Sequence, residues 1–136
     1  MVQTILTPTD GSENSYQAIR KAIDIAEPFD STIHALSVVK STPTRDRLRY
    51  DPEDEANEAV EKARELVEAG GLEFVGATRK GVPSEEIQSY ATEHDIDMIV
   101  MGTHGRSGVD RLVIGSVAER TVRRSSVPVL TVPPER

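Results

Sequence analysis

The chain has no cysteine and no tryptophan, and its three histidines, His34, His94 and His104, stand far apart in the sequence. Without thiols there is no disulfide framework, no thiolate nucleophile and no thiolate metal site, and scattered imidazoles do not make a structural zinc site. Also missing is any apolar run near the roughly 20 residues that span a bilayer. The opening "MVQTILTPTDGS" lacks the basic start and apolar stretch of a secretory signal. A cytoplasmic protein with no membrane partner is expected. A basic surplus is absent as well, since 16 Lys and Arg face 23 Asp and Glu for a net charge of −7. Sequence-independent nucleic-acid binding needs a basic face against the phosphates, so no nucleic-acid partner is expected. Lysine is scarce, with only Lys21, Lys40, Lys62 and Lys80 among the 16 bases. An acidic, lysine-poor surface suits a salt-rich cytosol, and compositional bias with ordinary solubilising charge accounts for it equally well.

What is present reads as one domain over residues 1–136, long enough to bury roughly two thirds of the surface of its unfolded chain. Apolar runs of four to eight residues alternate with longer amphipathic segments, the pattern of βαβ units around a parallel sheet. The pattern predicts strands at Val2 to Thr7, Thr32 to Val39, Leu72 to Thr78, Met98 to Met101 and Val127 to Val132. Helices are predicted from a Ser12 cap to Glu27, from Glu53 to Glu68, from a Ser84 cap to about His94, and from Gly115 or Ser116 onward. The fold class expected is a single-domain α/β open parallel sheet. The segment "KSTPTRDRLRYDPED" carries two prolines and dense charge and reads as a mobile connection or lid. Right-handed crossovers bring all strand C-termini to one edge, where open sheets bind ligands. Both "PTDGS" and the glycine-rich stretch "MGTHGRSGVDRLVIGSVAER" fall on that edge.

A loop that wraps phosphates aims successive backbone N–H groups inward and tolerates no β-carbon where it touches the ligand. Gly102, Gly105 and Gly108 suit that demand, and the helix start at Ser116 adds unpaired N–H donors and the positive end of a dipole. From Gly102 to Arg124, five arginines against Asp110 and Glu119 give 5 − 2 = +3 in an otherwise acidic chain. A flexible loop followed by a glycine helix start is the plainer reading of the same composition. Neither G-x-x-x-x-G-K-[ST] nor G-x-G-x-x-G is matched. A receiver-type phosphoacceptor domain is set aside too, because paired acids after the first strand and a lysine ending the fifth are missing. Asp95 and Asp97 in "EHDIDM" lack the partner oxygens of a calcium loop and read as surface charge at a helix end and a strand start.

The spacing G-x2-G-x9-G-[ST], here Gly102, Gly105, Gly115 and Ser116, resembles the nucleotide-binding signature of the universal stress protein family in its ATP-binding branch. The resemblance runs through "ILTPTDGSENS", "ALSVV", "GVPSEEI", "DMIVMGTHGRSG" and "SVPVLTVP", in the family's order and over nearly the whole chain. It implies a Rossmann-like sheet of strand order 3-2-1-4-5 with four to five helices on its two faces. Carried over, Pro8, Thr9 and Asp10 would border the adenosine and Val38 would offer backbone groups to the adenine edge. Met101 and Gly102 would form the floor. His104, Gly105, Arg106 and Ser107 would surround the phosphates, closed by Gly115, Ser116, Val117 and Ala118.

Asp10 can equally serve the turn, since Asp bonds the N–H groups that follow it. His104 reads as a phosphate-facing or solvent-facing residue, with an acid–base role as the other option. Arg45, Arg47 and Arg49 in the 41–52 connection, shorter and more basic than in many relatives, either reach over the phosphates or are simply solvated. The resemblance therefore implies a resident ATP, ADP or AMP, with Mg²⁺ or Mn²⁺ carried by the phosphates. It also implies a homodimer formed through the last strand, Val127 to Val132, whose bare edge would be hazardous. A nucleotide-dependent switch or sensor in stress response is the first expectation, because no general base or P-loop lysine is evident and slow ATP hydrolysis would be a side activity. The alternatives are an adenylyl- or phosphoryl-transfer enzyme using the same loop, and a nucleotide-free dimeric interaction module.

Overall fold

The computed structural model describes residues 2–40, 51–104 and 114–135. Five parallel strands, β1 (Thr4–Pro8), β2 (Thr32–Val39), β3 (Phe74–Lys80), β4 (Met98–Gly102) and β5 (Val129–Val132), form one sheet in the order β3-β2-β1-β4-β5. Four helices join them: α1 (Glu13–Ala26), α2 (Pro52–Ala69), α3 (Pro83–Glu93) and α4 (Ser116–Arg124). The strand order is the one expected.

Two apolar layers flank the sheet, because successive strand residues point to opposite faces. On one face α1 and α2 bury Ile19, Ala22, Ala63 and Val67 against Ile5, Ile33, Ala35 and Val100. On the other, Ile87, Tyr90, Ala91 and Ala118 of α3 and α4 cover Leu6, Leu36, Ile99 and Met101. The helical spacing of Ala18, Ile19, Ala22, Ile23 and Ala26 in α1 and of Ala56, Ala59, Val60, Ala63, Leu66 and Val67 in α2 predicts these faces, which are buried except for half-buried Ile23 and Leu66.

Several boundaries move from their expected places, each for a local reason. β1 begins at Thr4 rather than Val2, because the Asp97 carboxylate accepts the N–H groups of Gln3 (2.8 Å) and Thr4 (3.0 Å). Asp97 is thus a clamp between the starts of β1 and β4 rather than plain surface charge. α1 stops at Ala26 and a single 3-10 turn, Glu27–Phe29, follows it. α2 starts at Pro52, one residue early, with Asp51 as its cap accepting from Glu53 N at 2.9 Å.

β3 starts at Phe74 because Leu72 belongs to the stop of α2. Leu72 N donates to Val67 O (3.3 Å) and Gly71 N to Glu68 O (2.9 Å), with Gly71 at φ +77°. That is the paired-bond helix stop with a left-handed residue, and buried Leu72 is its hydrophobic contact. In α3 the cap is Val82, not Ser84. Pro83 is preorganised for the first helical position and holds the residue before it extended, which leaves Ser84 inside the first turn and buried. β5 begins at Val129 because the Ser125 hydroxyl engages both Val127 O (2.7 Å) and Val127 N (3.1 Å), occupying that residue in a turn.

Candidate functional site

The sheet divides where its strand order reverses. β1 pairs with β2 along its whole length, from Thr4↔Thr32 to Pro8↔Leu36, but with β4 only at Ile5↔Met98 and Leu6↔Ile99. Beyond that point β4 stays with β5 as far as Gly102↔Val132. The result is a split at the C-terminal edge between β1 and β4, the place where open α/β sheets take ligands. Proline is tolerated at the end of β1 for the same reason. Thr9 N donates to Leu36 O at 2.9 Å, so Pro8 turns its nitrogen to the β4 side, where no ladder bond remains to be lost.

The turn after β1 is built from its own polar side chains. Thr9, buried, shares a 2.9 Å hydrogen bond between its hydroxyl and Ser15 Oγ, and accepts from Gly11 N at 3.2 Å. Asp10, exposed, accepts from Ser12 N at 2.9 Å, and Ser12 caps α1 by accepting from Ser15 N at 3.2 Å. Asp10 therefore performs the turn role that its sequence context allows. Val38 stands two residues beyond Leu36 on β2. Strand alternation aims its backbone N–H and C=O the same way as those of Leu36, toward the side that β1 has already left.

The end of β4 supplies the opposite wall. Met101 is buried under α3 and α4, and Gly102 is half-buried. His104 is next to buried Thr103, whose Oγ1 lies 2.7 Å from His104 Nδ1. Gly115 caps α4 in extended geometry (φ −63°, ψ 154°), and its N–H donates to Thr103 O at 2.6 Å. That bond fixes the start of α4 beside the end of β4. The N-cap Gly115 has no side chain to cover the first turn of α4, where Ser116, exposed, Val117, half-buried, and Ala118, buried, carry helix-start N–H groups at the split. Pro8, Thr9, Asp10, Val38, Met101, Gly102, His104 and the 115–118 turn are thus gathered on one edge. Gly105, Arg106 and Ser107, like Gly108 and the Arg45, Arg47 and Arg49 connection, lie outside the described residues.

Sequence reading missed Asn14. Its side chain reaches from α1 to both β4 and β5: Oδ1 accepts from His104 N (2.9 Å), and Nδ2 donates to Val132 O (3.0 Å) and to Gln17 Oε1 (3.2 Å). A β-carbon on Gly102 would stand 2.5 Å from Asn14 Oδ1, so that glycine is required by a neighbouring side chain, independently of any ligand. The only signal in the sequence was a polar residue one turn into a helix, which ordinarily points to water.

A second polar cluster went unread because its members are remote in sequence. His34 Nδ1 lies 2.6 Å from Tyr90 Oη, Tyr90 stacks on His94 with ring centroids 3.9 Å apart, and the His34 and His94 rings meet edge-on at 5.5 Å. Arg79 lies over the Tyr90 ring at 5.0 Å and pairs with Glu93 and with Glu86. Burial, then the nearby His94, lowers the pKa of His34, and burial raises that of Tyr90. The hydrogen bond from Arg79 lowers that of exposed Glu93. This cluster clasps α3 to β2 and β3, away from the split. Among the described residues no group of three or more His, Cys, Asp or Glu side chains is placed to hold a metal ion, and no helix is long and apolar enough to cross a membrane.

Comparison with known proteins bears on the family that the glycine spacing resembles. The family model described as the universal stress protein family matches residues 1–133. Universal stress protein MJ0531 of Methanocaldococcus jannaschii is 35% identical over 140 residues, covering 97% of this chain and 82% of that protein. Universal stress protein MJ0577 of the same organism is 33% identical over 154 residues, covering 97% and 95%. The solved structure of MJ0577 superposes with a TM-score of 0.87 at 27% identity, over 100% of this chain and 99% of that one. A universal stress protein in complex with cAMP gives a TM-score of 0.76 at 24% identity, covering 97% of each chain. The Archaeoglobus fulgidus universal stress protein in complex with dAMP gives 0.75 at 21%, covering 96% of this chain and 97% of that one. With the sheet order, the split edge and a family match spanning nearly every residue, the chain belongs to the universal stress protein family.

Proposed function

We propose that the protein binds ATP, or its ADP or AMP relatives, at the split between β1 and β4 and acts as a nucleotide-dependent switch or sensor in stress response. The observation that carries this reading is the start of α4. Its N-cap is Gly115, which has no side chain to cover the first turn, it is fixed by Gly115 N to Thr103 O at 2.6 Å, and its N–H groups and helix dipole favour an anion. Opposite it, Asp10 suits a ribose hydroxyl, and the backbone of Val38 suits the donor–acceptor edge of adenine. Thr9 and Pro8 form the wall between them, with Met101 and Gly102 as floor and His104 at the phosphate side. Gly105, Arg106 and Ser107 complete the phosphate surround in this reading. The cAMP and dAMP complexes share the fold at 24% and 21% identity, so the choice of adenine nucleotide rests on the chemistry of these groups and on the glycine spacing.

A divalent cation, Mg²⁺ or Mn²⁺, would come with the phosphates. The chain works in this reading as one domain, in the cytoplasm, and as a homodimer through β5, which is the edge of the sheet and carries Leu130 38% exposed. His104 is the imidazole at the phosphate side and its Nδ1 lies 2.7 Å from Thr103 Oγ1, an arrangement that suits holding a phosphate, so switching is favoured over turnover. Calorimetric titration of nucleotide-stripped protein with Mg·ATP tests the assignment. Saturable binding near one ATP per chain is expected, and it should be lost in Gly115→Val, whose branched side chain blocks close approach to the helix start. A folded wild-type protein that binds no nucleotide would replace this reading with a nucleotide-free interaction module.

A further inference from the structure

Asn14 is 7% exposed, yet it carries a carboxamide with one acceptor oxygen and two N–H donors to satisfy. All are used. The oxygen takes His104 N–H and the nitrogen serves Val132 O and Gln17 Oε1, two of these partners lying 90 and 118 residues away in sequence. The partners also fix the orientation of the amide, since a backbone N–H can only donate and a carbonyl can only accept. Room for it exists because residue 102 has no β-carbon. One added there would meet Oδ1 at 2.5 Å, Cγ at 2.8 Å and the Asn14 carbonyl at 3.1 Å. Three chain segments are therefore tied by one side chain: the first turn of α1, the chain leaving β4 at His104, and the last residue of β5. Thr103 N to Val132 O (3.1 Å) and Gly115 N to Thr103 O (2.6 Å) bring the start of α4 into the same knot.

We propose that Asn14 is the positioning residue of the nucleotide site, its buried carboxamide setting the backbone at His104 and linking the phosphate side of the site to the end of edge strand β5. This inference rests on the nucleotide reading above and adds a regulatory route to it. A displacement of β5 at Val132, as when a second copy pairs with that edge, reaches the residue that begins the phosphate side through the Asn14 amide, alongside the direct backbone bond from Thr103 N to Val132 O. The adenosine side, made by β1 and β2, is not held by Asn14. Its loss should consequently discriminate between ligands.

The test is titration of nucleotide-stripped wild type and Asn14→Ala with Mg·ATP and, separately, with adenosine. Asn14→Ser, which suits a helix first turn but is too short to reach His104, serves if Asn14→Ala does not fold. The expected result is about a tenfold loss of ATP affinity in the Asn14 variant, the size of one buried hydrogen bond, with adenosine affinity within twofold of wild type. Equal losses for ATP and adenosine would mean general loosening and would overturn the positioning role. Unchanged ATP affinity in a folded Asn14 variant would overturn it as well. If wild type binds neither ligand, the nucleotide reading itself fails and this inference fails with it, an outcome distinct from the other two.

Discussion

Asp97 shows how one carboxylate decides where a strand starts. Its hydrogen bonds from the backbone of Gln3 and then Thr4 lower its pKa and hold the β1 and β4 starts together. In sequence it reads, with Asp95, as surface charge at a strand start, because its two backbone partners lie more than 90 residues away. His34 is the counterpart with the opposite preference. Burial, then the nearby His94, disfavours its charged form in the native state, and the charged groups of the cluster, Arg79 with Glu86 and Glu93, lie on the Tyr90 side. The native chain binds a proton at His34 only below the usual 6.5, whereas the unfolded chain takes it up near that value. Protein stability therefore falls as pH drops from about 6.5 toward the lowered native value and levels off beneath it. Replacing His34 by Gln keeps a partner for the Tyr90 hydroxyl and removes the titration. Thermal melts between pH 7 and 5 should show a downward slope in wild type that His34→Gln lacks. A parallel pair of curves would show that the imidazole does not carry the dependence.

At the scale of elements, helix bodies were legible in the sequence and helix ends only in part. The alanine and valine stripe of α2 identified its buried face because a helix repeats every 3.6 residues and a one-sided core selects that period. Its stop at Gly70 and Gly71 was legible too, yet Leu72 was assigned to β3, because an apolar residue after a glycine pair reads equally as strand start or helix-stop contact. Only the bond from Leu72 N to Val67 O separates the two. Gly71 carries the strain-sensitive step of this stop at φ +77°. Gly71→Ala should therefore destabilise the protein by about 1 kcal/mol, read as a lowered urea midpoint at unchanged m-value. The space around that position is open, so the loss would come from backbone conformation and not from a clash. Ser84 illustrates the reverse error. A serine near a helix start looks like a cap, but Pro83 outranks it by fixing φ at the first helical position.

At the scale of the molecule, the two edges of the sheet are unequal. Both carry an exposed apolar residue, Val75 on β3 and Leu130 on β5, but β3 runs for seven residues and β5 for only four. An apolar unpaired edge invites pairing with a second copy, and charge on such an edge prevents it. Leu130→Arg should convert the proposed homodimer to monomer in sedimentation equilibrium, with the far-ultraviolet circular dichroism unchanged. A wild type that sediments as monomer at all concentrations tested would remove the dimer from the proposal. The same variant probes the route through Asn14, since Val132 closes the strand on which Leu130 sits.

The sequence by itself determined the number and order of elements, the helix faces, the parallel sheet and the edge on which the candidate site would form. These follow from periodicity, turn residues and crossover handedness, all of which act over short stretches of chain. Its glycine spacing also carried the family likeness. Tertiary structure alone decided that β1 and β4 part after Leu6 and Ile99, that Asn14 occupies the space left by Gly102, and that His34, Tyr90 and His94 meet. Each of these joins residues from separate elements whose proximity depends on how strands register and helices dock, and a buried polar side chain declares its purpose only when the partners that satisfy it are in place.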